Sequence, residues 1–180
     1  TNDELEKLIS YPVIGHIIHS QKGVTNVVLN YPRSVITETF RRVRSRLEYM
    51  TSETEAPIIS VSSSLPGEGK TFCALNLAAI FAYSGKKTAL IGFDMRKPEL
   101  NKILKMENEE GLSQYYINKV ALDDIIHDSG QDHLSIIPSG AVPPNPAELI
   151  TSSKTDQLFS ELTSRFDVIV LDTPPMSVVA

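Results

Sequence analysis

The sequence is poor in several features that mark particular classes of protein. It has one cysteine in 180 residues, which excludes internal disulfides and zinc clusters of cysteine. No apolar run approaches the length of about 20 residues that a membrane-spanning helix requires. The formal net charge is −5, and this shortage of positive charge argues against a role in binding nucleic acid. We therefore expect a soluble, intracellular chain with one well-packed domain.

Short apolar runs alternate along the chain with segments whose apolar residues recur at the three- and four-residue spacing of a helix. This alternation predicts a parallel α/β sheet. Ser34 is suited to cap the helix that follows it, and Gly85 stands where a helix would end. Residues 24–29 favour a strand, and residues 4–9 favour a short helix. The strands are predicted at 58–61, 88–93, 134–138 and 167–171, and the main helices at 35–50, 70–84, 98–104, 112–118, 122–127 and, with interruptions, 146–164.

The strongest chemical signal is residues 64–71, which read SLPGEGKT. Small residues let consecutive backbone N–H groups close around phosphate oxygens, and Lys70 supplies a cation for the β- and γ-phosphates. Thr71 can give its hydroxyl to Mg²⁺ at a helix N-terminus, where the helix dipole favours anions. Ser64 stands where the consensus has glycine, and a glycine-rich turn with a chance lysine is the alternative. The expected nucleotide-binding residues are Pro66, Gly67, Glu68, Gly69, Lys70, Thr71 and Phe72.

Two aspartates follow apolar runs that we expect to be neighbouring strands. Asp94 comes after residues 89–93, and Asp172 comes after residues 168–171. Ligands of open α/β sheets bind at the carboxyl ends of the strands, so both carboxylates are expected near the phosphate-binding loop. Either aspartate alone could instead start a turn. The expected catalytic residues are Lys70, Asp94 and Asp172, and the expected Mg²⁺ ligands are Thr71, Asp94 and Asp172.

Four motifs together resemble those of the bacterial tyrosine kinases, or BY-kinases. They are PGEGKT at residues 66–71, FDMRKP at 93–98, PNPAEL at 144–149 and DTPP at 172–175. The resemblance covers about residues 32–175, with the motifs in the family's order. It implies a P-loop NTPase-type parallel β-sheet flanked by helices in three layers (α/β/α). It also divides the chain into an N-terminal arm at 1–33 and a kinase domain at 34–180, without the family's last strands and tyrosine-rich tail.

The resemblance carries an expected function. It implies an ATP-dependent autokinase that phosphorylates tyrosine in trans between the subunits of a ring, an octamer in the family. Its cofactors would be ATP or ADP and Mg²⁺, and it would regulate capsule or exopolysaccharide synthesis and export. The expected partners are a polysaccharide co-polymerase membrane segment, in the same or another chain, and a cognate phosphatase. The expected location is the cytoplasmic face of the plasma membrane.

One position departs from the family's pattern. BY-kinases normally have an earlier aspartate two places before Asp94, and this sequence has Gly92 there. The departure leaves a weak kinase as one interpretation. A nucleotide-gated assembly module with little or no kinase activity is another. A third is a partitioning or septum-site ATPase, although those proteins have an extra lysine that residues 62–66 lack.

A helix rich in arginine is the second informative feature. Glu38, Arg41 and Arg44 match the family's Glu-x-x-Arg-x-x-Arg motif, which the resemblance links to assembly of the ring. Their three-residue spacing places them along one side of a helix, where guanidinium groups could pair with a neighbour's carboxylates. The alternatives are a solvated polar face and a basic patch that meets anionic lipid.

Overall fold

A computed structural model describes residues 11–20, 24–107 and 109–178, so the helix predicted at 4–9 lies outside the described residues. Strands and helices alternate along most of this part of the chain, as the sequence predicts. Two 3₁₀ turns, Asp123–Ile125 and Met176–Val178, complete the regular structure. The helices and strands in chain order are α1 Val27–Asn30, α2 Val35–Met50, β1 Ile58–Val61, α3 Lys70–Tyr83, β2 Thr88–Gly92, α4 Glu99–Ile103, α5 Leu112–Tyr116, β3 His127–Asp128, β4 Leu134–Ile137, α6 Pro146–Ile150, α7 Ser153–Arg165 and β5 Val168–Asp172.

The five described strands form one sheet in the order β1-β5-β2-β4-β3. β1, β5, β2 and β4 are parallel, and β3 pairs antiparallel with β4 at one edge. Every residue of β2 and β5 is buried. Central parallel strands are covered on both faces, which explains why these two read as continuous apolar runs. The predicted α/β class, a sheet flanked by helices in P-loop fashion, is confirmed.

Alternate residues of the central strands face two separate hydrophobic cores. Leu90 and Val170 contact the core that contains α1, α2 and α3. Ile91 and Ile169 contact the other core, which contains α5 and α7. Because side chains alternate across a strand, the apolar runs supply both cores at once. The sheet is therefore the middle layer between two layers of helices.

The strand predicted at residues 24–29 is wrong. Residues 27–30 form helix α1 instead, and Asn26 caps it by accepting a hydrogen bond from the Leu29 amide at 3.0 Å. Val27 and Val28 are buried in the same core as α3. Tertiary contacts thus override the β preference of two adjacent valines. The division of the chain into an arm and a kinase domain stays a prediction.

The helix predicted at residues 122–127 is also wrong. A 3₁₀ turn, Asp123–Ile125, is followed by the edge strand β3. Gly130, with a φ of 76°, lies in the loop that turns the chain from β3 towards β4. The amide of Ser129 donates to the Leu134 carbonyl at 3.3 Å, so pairing with β4 replaces the helix. None of the helices within the described residues has the length and apolar character that a membrane span requires.

Candidate functional site

The loop between β1 and α3 has a backbone that the sequence explains. Gly69 caps α3 with φ 90°, in the left-handed region, and Gly67 has φ 85°. Glycine adopts this conformation without the steric cost that a Cβ imposes. The Leu65 amide donates to Glu68 Oε2 at 3.0 Å, and the Ser63 hydroxyl donates to the Leu65 carbonyl at 2.8 Å. The loop is therefore braced by its own side chains.

Lys70 lies at the centre of the site. Its Nζ is 3.4 Å from Asp94 Oδ2, 3.3 Å from Asp172 Oδ1 and 3.4 Å from the Thr71 hydroxyl. The three charged side chains are nearly buried, with exposed fractions of 8%, 4% and 1% for Lys70, Asp94 and Asp172. The structure thus brings together all four residues from which the sequence predicts a metal and phosphate site.

The sheet explains why the two carboxylates meet. β2 and β5 are adjacent and parallel, and their register places Gly92 beside Asp172 at the same edge. Asp94 comes two residues beyond Gly92, where the chain leaves the sheet. Its Oδ1 accepts hydrogen bonds from the backbone amides of Arg96 at 3.2 Å and Lys97 at 3.0 Å. This turn fixes one oxygen of Asp94 and leaves Oδ2 towards Lys70.

The electrostatics of the site favour additional positive charge. Burial raises the pKa of the Asp172 carboxyl above its ordinary value of 3.8, and the nearby Asp94 carboxylate adds to this rise. The Lys70 ammonium, together with hydrogen bonds from Thr71 and Lys70, opposes the rise. Two buried carboxylates share one ammonium, so a further cation would stabilise both. Carboxylate and hydroxyl oxygens are ligands that suit Mg²⁺, and the donor set of Thr71, Asp94 and Asp172 fits that ion.

A cavity of about 380 Å³ opens beside Lys70. Its size is within the range of small-ligand pockets. Glu68 braces the loop and does not line the cavity, and the ring of Phe72 also packs on Phe40 at a centroid distance of 5.9 Å. Of the predicted nucleotide-binding residues, Pro66, Gly67, Gly69, Lys70, Thr71 and Phe72 line it.

Six residues that the sequence did not single out as ligand-binding line this cavity away from the loop. Each of them follows one of the two aspartates or lies on the short helix α4. The FDMRKP and DTPP motifs contain four of them, so the signal was their adjacency to Asp94 and Asp172. The six residues are Arg96, Lys97, Glu99, Ile103, Pro174 and Pro175.

The three predicted interface residues differ in their surroundings. Arg41 pairs with Glu38 at 3.1 Å and donates to the Pro32 carbonyl at 2.6 Å. The Arg44 side chain is only 19% exposed, pairs with Glu48 at 3.6 Å and donates to the Ile80 carbonyl of α3 at 3.3 Å. Glu38 and Arg41 thus form a partly exposed pair, whereas Arg44 joins α2 to the helix that follows the phosphate-binding loop.

Comparison with known proteins agrees with this geometry. The AAA domain family matches residues 56–179. The tyrosine-protein kinase YwqD of Bacillus subtilis is 35% identical over 154 residues, which cover 86% of this chain and 65% of that protein. The chain therefore spans just under two thirds of that relative's length.

Solved structures show the same fold. The chimerical protein CapA2B2 superposes with a TM-score of 0.88 at 36% identity, over 98% of this chain and 76% of that chain. The kinase domain of the Escherichia coli tyrosine kinase ETK gives a TM-score of 0.81 at 32% identity, over 89% and 63%. A more distant structure is the septum site-determining protein MinD of Pyrococcus horikoshii, complexed with Mg-ADP. Its TM-score is 0.57 at 25% identity, over 67% of this chain and 49% of that chain.

Proposed function

We propose that this chain, which belongs to the AAA domain family and to the bacterial tyrosine-protein kinases, transfers the γ-phosphoryl group of Mg-ATP to tyrosine. The observation that carries this proposal is the Lys70 ammonium, held between the Asp94 and Asp172 carboxylates beside the phosphate-binding loop. Phosphoryl transfer depends mainly on positioning and on neutralising charge, and these residues supply both.

Each group of the site has a role in this proposal. The amides of the loop and the start of α3 bind phosphate oxygens, and Lys70 exchanges its carboxylate contacts for contacts to phosphate. Thr71 and Asp172, with Asp94 beside them, would hold Mg²⁺, which supplies positive charge against the phosphates. Asp94 keeps Oδ1 on its two amide donors, so its orientation does not depend on Lys70.

The wider biology is also part of the proposal. Transfer takes place in trans between subunits of a ring, with Glu38, Arg41 and Arg44 at the contact between subunits. The chain acts with a polysaccharide co-polymerase at the cytoplasmic face of the plasma membrane, and a cognate phosphatase reverses the modification. The BY-kinase motifs at residues 66–71, 93–98 and 172–175 support this assignment.

A second candidate function is a nucleotide-gated assembly module with little kinase activity. Gly92 is the observation that favours it. A Cβ at this position would lie 3.2 Å from the Ser139 amide nitrogen and 3.5 Å from Leu100 Cδ2. Because residue 92 is a glycine, the site has no carboxylate at this position, and the packing around it leaves little room to add one. In this alternative, binding and release of nucleotide at Lys70 would control subunit contacts.

One experiment separates the two candidates. The protein is incubated with γ-labelled Mg-ATP, and phosphotyrosine is measured together with the size of the assemblies. Lys70→Met and Asp94→Asn serve as variants of the site. The kinase proposal expects phosphotyrosine in the parent protein and its loss in Lys70→Met. A nucleotide-dependent change of size without phosphotyrosine would reject the kinase and support the assembly module.

A further inference from the structure

The six tyrosines of the chain fall into two classes. Tyr115 and Tyr116 are buried, and Tyr116 shares a 2.8 Å hydrogen bond with Thr155. The other four are more than half exposed, and their phenol groups are accessible to another protein. These four are Tyr11, Tyr31, Tyr49 and Tyr83.

Tyr83 differs from the other exposed tyrosines in its contact with a cation. The Arg41 guanidinium carbon lies 5.9 Å from the centre of the Tyr83 ring. Within the described part of the chain, no other exposed tyrosine has such a cation contact. Arg44 bonds to the Ile80 carbonyl one turn earlier on the same helix. Two arginines of α2 thus lie against the end of α3.

We propose that Tyr83 is a phosphorylation site of this protein and that the phosphate group forms an ion pair with the Arg41 guanidinium. The inference rests on the proposed kinase activity and names an acceptor within the folded chain. Arg41 now pairs with Glu38, a carboxylate of single charge. Phosphotyrosine has a charge of about −1.5 to −2 and three acceptor oxygens, so it competes with Glu38 for the guanidinium.

The covalent step balances with ATP as the phosphoryl donor. The phenolic oxygen of Tyr83 bonds to the γ-phosphorus, the bond from that phosphorus to the bridging oxygen breaks, and ADP leaves. The phenolic proton passes to solvent. The helix α3 has 14 residues from Lys70 to Tyr83. At about 1.5 Å per residue, its two ends lie roughly 20 Å apart, so a second copy of the chain must supply the active site.

Phosphorylation at this place would change the surface of α2. The dianion lies at the C-terminal end of α3, where the helix dipole already carries partial negative charge, so a nearby guanidinium becomes more favourable. Arg41 turns from Glu38 towards Tyr83 and leaves the Glu38 carboxylate without this partner. Because the proposed contact between subunits uses Glu38 and Arg41, phosphorylated Tyr83 weakens assembly.

The experiment mixes two full-length variants with γ-labelled Mg-ATP. An active Tyr83→Phe protein donates, and an affinity-tagged Lys70→Met protein accepts. We expect phosphate on the Tyr83 peptide of the tagged acceptor. Adding Tyr83→Phe to the acceptor removes most of its label, whereas adding Tyr49→Phe leaves the label in place. Tyr49 is a matched control because it is 84% exposed without a cation over its ring, compared with 57% for Tyr83.

Failure of this inference is distinguishable from failure of the proposed function. Label on a synthetic Glu/Tyr polymer or on Tyr49, with none on Tyr83, would overturn the site alone. No label on any tyrosine or on the polymer would overturn the kinase as well. Light scattering before and after labelling tests the link to Arg41. Smaller assemblies are expected for the labelled parent protein, and unchanged size would overturn that link.

Discussion

Asn76 joins residues 25–28 to the helix that follows the phosphate-binding loop. It is fully buried in α3, and its Oδ1 accepts hydrogen bonds from the amides of Val27 at 2.8 Å and Val28 at 3.1 Å. Its Nδ2 donates to the carbonyls of Thr25 at 2.7 Å and Phe72 at 2.9 Å. We predict that Asn76→Ala destabilises the whole fold, because it removes four bonds between buried or partly buried groups.

The size of the effect follows from those bonds. Each bond contributes a net of about 1 kcal/mol. Because water can replace part of the lost bonding at the exposed end of α1, the free energy of unfolding falls by about 3 kcal/mol. For a chain of this length, 1 kcal/mol shifts the melting temperature by about 2–4 °C, which gives a fall of roughly 6–12 °C. Thermal unfolding followed by circular dichroism measures it.

Asn26→Ala is the matched control for this prediction. Asn26 caps helix α1 through one exposed hydrogen bond. Losing this bond lowers the free energy of unfolding by about 1 kcal/mol and the melting temperature by roughly 2–4 °C. Equal shifts for the two variants would contradict the larger contribution assigned to the Asn76 hydrogen bonds. So would an Asn76→Ala protein that melts with the parent, because residues 24–30 would then not contribute to the stability of the domain.

Two further predictions concern the carboxyl ends of β2 and β5, where the site lies. Because burial raises the pKa of Asp172 above its ordinary 3.8, its ionisation lowers stability as the pH rises from that value through the folded pKa. The melting temperature of Asp172→Asn should therefore rise relative to that of the parent as the pH goes from 4 to 7. An equal difference in melting temperature at both pH values would contradict this. Gly92→Ala should cost about 1–3 kcal/mol, because the new Cβ crowds the Ser139 amide. An unchanged melting temperature would show that the strand adapts freely.

The central elements of the fold are predictable because local signals and burial agree there. β1 has the predicted bounds, β2 and β4 each end one residue before the predicted end, and β5 is shifted by one residue at both ends. Their apolar runs contribute side chains to both hydrophobic cores, so the tertiary contacts agree with the local preference for a strand. The loop before Lys70 is equally clear, since its glycines have the positive φ angles that the motif needs.

The errors arise where a distant partner decides the structure. The amides of Val27 and Val28 find their acceptor 48 or 49 residues away, on Asn76, so their β preference does not produce a strand. His127 becomes part of an edge strand because β4 offers backbone partners. In the site, the sequence predicts that Asp94 and Asp172 converge. It does not predict that Lys70 lies between them, because that depends on side-chain geometry across three elements.

Lys70, Thr71, Asp94 and Asp172 are the residues that we propose form one Mg-nucleotide site. The most direct measurement is equilibrium titration of the protein with a fluorescent ATP analogue, with Mg²⁺ and with excess chelator, for the parent, Lys70→Met and Asp172→Asn. We predict saturable binding that weakens without Mg²⁺, fails in Lys70→Met and loses its Mg²⁺ dependence in Asp172→Asn. Binding of equal strength in all three proteins, or no binding by the parent, would contradict it.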